Sequence, residues 1–210
     1  MKNSEEILRE VAGYYSAKLA EFGESPQGVD WNSQESQNLR FDQLMKIVQT
    51  NEGFSINDLG CGYGALIDFL QVSFKNFSYQ GIDVSEEMLT AAKLRYVNFS
   101  QSTFVVGAKP SVMADYGIAS GIFNVRLGRT DDEWQHFLCE TLDILSETSR
   151  QGFAFNCLTS YSDREKMRDY LYYANPLDLF DLCKKKYSRH VSLLHDYGLY
   201  EFTILVRKVL

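Results

Sequence analysis

Apolar and polar positions along the 210-residue chain follow two periods in turn. Residues 4–22 place Ile7, Leu8, Val11, Tyr14, Tyr15 and Leu19 near helical spacing. The polar stretch 23–33, with Gly23, Pro26 and Gly28, breaks that pattern. Asn32 and Glu35 have capping-box spacing, which predicts a second helix reaching about Thr50. Short apolar runs then alternate with helical patterns. Strands are expected at 54–58, 79–83, 103–106, 116–120, 152–156, 191–195 and 200–207. Helices are expected over 63–74, after Ser85, over 131–148 behind the box Thr130–Glu133, after Ser162 with Glu165, and from Asn175-Pro176 to about 186. Such alternation predicts an α/β domain with a mainly parallel sheet between helical layers. The turn near Asp196-Tyr197-Gly198-Leu199 makes the last two strands a hairpin, so the last strand runs against its neighbour. One domain over 1–210 is expected, with a seven-stranded core at 53–210 and a helical cover at 1–52.

The stretch Ile56-Asn57-Asp58-Leu59-Gly60-Cys61-Gly62-Tyr63-Gly64-Ala65-Leu66 organises the rest. It reads as a strand ending near an acid, a tight glycine turn and a helix start. Glycines there allow backbone angles closed to other residues and let a ligand lie on the main chain against free helix N–H groups. A dinucleotide fingerprint wants G-x-G-x-x-G. Here the third glycine comes two residues after the second, and Asp58 stands two before the first. An acid at that place repels a pyrophosphate and suits a cation. The second strand ends at Asp83, an acid that can accept both hydroxyls of a ribose, with Ile82 and Val84 flanking it.

This stretch resembles the (D/E)-x-G-x-G-x-G motif of the class I S-adenosylmethionine-dependent methyltransferases. The resemblance implies a Rossmann-like seven-stranded sheet with strand 7 antiparallel between strands 5 and 6. It makes Gly60, Cys61, Gly62 and Gly64 the cofactor turn, Asp58 a holder of the cofactor's amino group, and Asp83 the ribose acid. Ser120 and Gly121, at the end of the fourth strand, are expected to meet the methionine part through backbone. The family often places an acid or amide for the adenine amino group after strand 3. This chain has Gly107-Ala108-Lys109-Pro110 there, with no such acceptor at Ala108. It also lacks the (D/N)-P-P-(Y/F) of DNA amino-methyltransferases after strand 4. Val29-Asp30-Trp31, Gln37, Arg40-Phe41, Ser120–Asn124, Ala154-Phe155-Asn156, Tyr172-Tyr173 and His195–Thr203 look like a bacterial family of small stand-alone methyltransferases. Some of its members are similar to proteins encoded with capsule or surface-polysaccharide modification genes.

Four further residues are candidates on their own chemistry. Trp31, in a polar loop, is placed to close over cofactor or substrate, or to anchor the helix. Arg40 can clamp a carboxylate bidentately, the cofactor's own included, or form a plain salt bridge. His195 and Glu201 flank the hairpin turn; His195 is the candidate general base and Glu201 its orienter or an acceptor-binding group.

Composition narrows the partners. The net charge of −7 disfavours polyanionic ligands, so nucleic acid is not the expected acceptor. The four cysteines show no C-x-x-C pair and no metal spacing with the three histidines, which suits reduced thiols, a cytoplasmic setting and no metal. No apolar stretch approaches the ~18 residues of a membrane span. The expectation is methyl transfer from S-adenosylmethionine to a small-molecule acceptor, such as a sugar or other metabolite, at oxygen or nitrogen. The competing readings are a nucleic-acid methyltransferase and a catalytically silent cofactor-binding partner; NAD use is disfavoured by the glycine spacing.

Overall fold

The computed structural model describes residues 2–50 and 52–208, with side chains from residue 4 onward. Seven strands form one sheet in the order β3-β2-β1-β4-β5-β7-β6. They are β1 Phe54–Leu59, β2 Phe77–Asp83, β3 Ser102–Val106, β4 Ala114–Ala119, β5 Ser149–Leu158, β6 His190–Leu194 and β7 Glu201–Arg207. β1 to β5 pair in parallel. β7 lies antiparallel between β5 and β6, as expected.

Helices cover both faces. One side carries α2 (Gln34–Met45), α3 (Leu66–Ser73) and α4 (Glu86–Arg95). Its core joins Phe41 and Leu44 to Ile56, Tyr79 and Ile67. The other side carries α1 (Lys2–Phe22), α5 (Asp131–Glu147) and α6 (Pro176–Lys186). Its core joins Ile7 to Phe123, Trp134, Phe155 and Phe202. Alternation along the strands feeds both cores, as a sheet buried on two faces requires. Among the described residues no helix is long and apolar enough to cross a membrane.

The connection from β3 to β4 contains no helix. Its irregular, bent backbone needs partners for its polar groups. Two strand side chains supply them. Gln80 accepts from Ser111 N and donates to Ser111 Oγ, both at 2.9 Å. Asn57 donates to the Val112 carbonyl at 2.9 Å. These buried polar residues in strand interiors are thus part of the fold rather than of the chemistry. α1 packs against α5, and its upper part runs to the carboxyl end of the sheet. There Ser16 meets the Ser85 and Glu87 side chains at 3.0 and 2.9 Å.

Several boundaries differ from expectation; α3, for one, starts at Leu66 rather than near 63. The cap of α2 is Ser33, one residue after Asn32; its hydroxyl accepts from Ser36 N, and Ser36 Oγ accepts from Ser33 N. The helix stops at Met45 rather than near Thr50, because the chain turns at Lys46. After Ser162 only a single 3-10 turn forms, Arg164–Lys166. Ser162 donates its hydroxyl back to the Thr159 carbonyl at 2.7 Å and so caps nothing.

Candidate active site

The glycine turn follows β1 directly. Gly60 N and Cys61 N both donate to the Ile82 carbonyl, at 2.7 and 3.1 Å, which ties the turn to the end of β2. Gly62 has φ +55 and Gly60 φ +75, in the left-handed region. A Cβ on Gly62 would sit 3.0 Å from Val29 Cγ1, so the backbone there is held against the loop before α2. Gly64 serves packing instead: a Cβ would come within 2.8 Å of the Tyr96 ring of the chain just after α4.

A cleft opens beside this turn, at the carboxyl ends of β1, β2 and β4, as expected for ligands of open α/β sheets. Of the sequence-predicted residues, Trp31, Asp58, Gly60, Cys61, Gly62, Asp83, Val84, Ser120 and Gly121 all line it. α1 forms one wall through Leu8, Val11, Ala12 and Tyr15, residues spaced to share one helix face. α5 contributes Phe137, Glu140, Thr141 and Ile144.

Two acids define the floor. Asp83 accepts from Gly62 N at 2.8 Å and from Ser85 N at 2.9 Å. It therefore locks the glycine turn while each oxygen retains a lone pair. Burial raises its pKa, against the opposing pull of those backbone donors. Asp58 is buried and accepts from the Tyr79 hydroxyl at 2.7 Å. Burial pushes its pKa up to about 7; the Tyr79 bond opposes this, and the Asp83 charge adds to it. An acid with a raised folded pKa favours the folded state in acid. Its contribution is lost as pH rises from the ordinary carboxylate value through about 7. A bound cation favours the charged form instead. Affinity for a cationic ligand is thus expected to rise through pH 6–8, and calorimetry should find that slope removed in Asp58→Asn.

The carboxyl ends of β4, β5 and β7 hold a closed ring of contacts. Gly121 N donates to Asn156 Oδ1 at 2.7 Å, and Asn156 Nδ2 donates to Glu201 Oε2 at 2.5 Å. Arg40 clamps Glu201 through Nη2 at 2.6 Å and through Nε at 2.9 Å to both oxygens. The Arg40 guanidinium stacks 3.9 Å from the Trp31 ring centroid. Trp31 closes the ring: a Cβ on Gly121 would lie 2.3 Å from its Cζ2. Gly121 accordingly has φ +76 and no room for a side chain.

This geometry corrects several sequence expectations. Arg40 is not free for a cofactor carboxylate, because Glu201 already fills its fork. Glu201 is 1% exposed and orients Arg40 and Asn156, not His195. Gly121 N is committed to Asn156, so it cannot also serve the ligand. The free group at this turn is a side chain. Ser120 Oγ is buried with no hydrogen-bond partner. His195 is exposed, beside the Tyr161 and Phe202 rings, and does not line the cleft. It follows β6, the outermost strand, three positions beyond β4. At the usual strand spacing that separation is about 14 Å. Sequence reasoning also missed Tyr79, whose hydroxyl holds Asp58, and Tyr15. Among the described residues no group of three or more His, Cys, Asp or Glu could hold a metal ion.

These features fit a sulfonium cofactor. The turn approaches the cleft with backbone alone, Asp83 offers a carboxylate beyond β2, and Ser120 leaves a hydroxyl unpaired. Comparison with known proteins agrees. Residues 56–148 match a methyltransferase domain family. A Mycobacterium tuberculosis protein named as a methyltransferase is 60% identical over 164 residues, covering 78% of this chain and 99% of its own. Among solved structures, the DhpI-SAM-HEP complex superposes with TM-score 0.67 at 13% identity, covering 95% of this chain and 96% of that one. Human N-acetylserotonin methyltransferase with S-adenosylmethionine gives 0.61 at 18% identity, covering 84% and 54%. Magnesium protoporphyrin IX methyltransferase from Synechocystis PCC 6803, also with that cofactor, gives 0.58 at 15%, covering 82% and 80%. On its glycine turn, its sheet order and these likenesses together, the chain belongs to the class I S-adenosylmethionine-dependent methyltransferases.

Proposed function

We propose that the protein methylates a small-molecule acceptor, at oxygen or nitrogen, in the cytoplasm. The observation that carries this reading is the form of the cleft. It is mainly apolar, walled by α1 and Trp31, and Arg40, which stacks on Trp31, is neutralised by Glu201. Such a site suits a compact, uncharged acceptor better than a polyanion, and the net charge of −7 points the same way. When bound, S-adenosylmethionine supplies an activated methyl group on a sulfonium.

The residues then have distinct tasks. Asp83 accepts from the ribose hydroxyls. Asp58 balances the amino group's charge. Ser120 Oγ donates to the methionine carboxylate. Val84, Gly107 and Ala108 flank the adenine, and Glu140 or Thr141 of α5 replaces the acceptor that Ala108 lacks. Trp31 and α1 exclude water and hold the acceptor in line with the methyl group, the arrangement that alignment catalysis needs. No residue placed here is asked to act as a strong base. His195 is not assigned that role, given its distance from the cleft.

The test has two arms. S-adenosylmethionine and S-adenosylhomocysteine should each raise the melting temperature, while NAD should not. The purified protein with labelled cofactor should then mark small molecules in a metabolite extract. Label appearing only in RNA or DNA would overturn the acceptor class. Gly62→Val probes the turn itself. A β-branched residue at φ +55, pressed on Val29, should lower stability by about 1–2 kcal/mol. It should also abolish calorimetric binding of S-adenosylhomocysteine; wild-type affinity would remove the turn from the site.

A further inference from the structure

A polar side chain of the α1 wall has no task so far. Tyr15 lies on the face of α1 that walls the site, and its side chain is partly buried. Its neighbour Tyr14 donates to Asp30 Oδ2 at 2.9 Å, and Lys18 pairs with the same aspartate at 3.0 Å. Asp30 is thereby taken from both sides. Tyr15 packs edge-on against the Tyr14 ring, with centroids 5.2 Å apart. Its own hydroxyl bonds to no group among the described residues. Lining the cleft, it is left to bond to water or to a ligand. The other unpaired hydroxyl lining this cleft is Ser120 Oγ.

We propose that the Tyr15 hydroxyl contacts the transferable-methyl end of the bound cofactor, and so distinguishes the methylated cofactor from its demethylated product. The proposal rests on the methyltransferase reading above. Its placement follows from what the other walls leave. Asp83 serves the ribose and Ser120 the methionine carboxylate, so the sulfonium falls in the part of the cleft between them. Tyr15 lines the same cleft as both. The surroundings also favour a cation at the phenol oxygen. Burial raises the Tyr15 pKa far above its ordinary value, and Asp30, Tyr14, Asp83 and Glu201 add to the rise. The phenol therefore stays protonated at neutral pH and is no general base. Its oxygen lone pairs are free to accept from the polarised C–H groups of a sulfonium methyl, a weak but recurrent contact.

The experiment compares three ligands on Tyr15→Phe by calorimetry. They are S-adenosylmethionine, S-adenosylhomocysteine and sinefungin, in which an amine-bearing carbon replaces the sulfonium centre. Sinefungin presents an ammonium where the methyl group stands, so it should suffer most, with affinity reduced about 10- to 100-fold. S-adenosylmethionine should weaken about 2- to 5-fold. S-adenosylhomocysteine should be unchanged, because it carries nothing at that position. Tyr14→Phe, which loses the Asp30 bond, should not discriminate among the three. An equal loss for all three ligands in Tyr15→Phe would place the hydroxyl on the ribose or adenine and overturn the proposal. No loss for any of them would overturn it too. Failure of the wild-type protein to bind S-adenosylhomocysteine would instead reject the underlying reading.

Discussion

Glu201→Ala should cost about 3–5 kcal/mol of folding stability. The reason is the partner left behind. The side chains of Arg40 and Glu201 are 8% and 1% exposed, so removing the carboxylate strands a guanidinium away from water. Arg40 would retain only the Ser36 carbonyl, at 2.7 Å through Nη1, and the Trp31 ring. Asn156 would lose its acceptor as well, and with it the bond that orients its Oδ1 toward Gly121 N. Glu201→Gln should cost less, because an amide oxygen still accepts from Arg40. The joint variant Arg40→Met, Glu201→Leu should recover most of the lost stability, since no buried charge is left unpaired. Urea unfolding of the variants measures this. A Glu201→Ala loss below about 1 kcal/mol would mean that water reaches the pair and that it behaves like a surface ion pair. The ring also makes a functional prediction for the joint variant. With Trp31 no longer stacked on a guanidinium, Gly121 loses its clamp. Cofactor affinity should then fall even where stability is restored.

The contrast between this pair and the glycine turn shows what a sequence makes legible. The turn was readable because its chemistry is local. A strand, three glycines and a helix must be consecutive to bring backbone to a ligand, and Asp83 had only to end the next strand. The Arg40–Glu201 bond joins residues 161 apart, and neither position carries a local pattern that names the other. A salt bridge of Arg40 is legible as an alternative to a carboxylate clamp, but its partner Glu201 is not. Tyr79 and Asp58 present the same difficulty: the register of β1 and β2 brings them together, and periodicity reports only that both are strand residues. His195 shows a different failure. β6 runs parallel to β5, since both pair antiparallel with β7, so its end lies on the cofactor side of the sheet. The antiparallel insertion of β7, also expected, then moves that end one strand farther from the cleft. Strand direction alone does not bring a residue to the cleft; its lateral place in the sheet decides. Errors at the caps are smaller in kind. Asn32 and Ser33 are both good N-cap residues, and only the extended backbone at Ser33, φ −158, decides between them.

Asp83→Ala should weaken S-adenosylmethionine and S-adenosylhomocysteine by about 10²- to 10⁴-fold. That range follows from two hydrogen bonds to a charged acceptor at about 1.5–3 kcal/mol each. Asp83 does two things, and the loss must be divided between them. It offers oxygen lone pairs to a ribose, and it holds Gly62 N and Ser85 N in place. Without the carboxylate the glycine turn is freed as well, so a bare loss of affinity proves only that the region matters. A ligand-side cycle separates the roles. In the wild-type protein, the 2′-deoxy analogue of S-adenosylhomocysteine should bind more weakly by the value of one bond. In Asp83→Ala the two ligands should bind alike, because the hydroxyl no longer has a partner to lose. If the deoxy analogue is penalised equally in both proteins, Asp83 is a turn residue and another group reads the ribose. The pH dependence gives a second check. Burial raises the Asp83 pKa, so wild-type affinity should fall on acidification at a higher pH than an exposed aspartate would give. Protonation replaces two acceptor oxygens with a carboxylic acid that competes for its own partners. Asp83→Asn, which keeps one acceptor oxygen and cannot titrate, should bind weakly at every pH and lose that acid limb; an unchanged limb would assign it to Asp58.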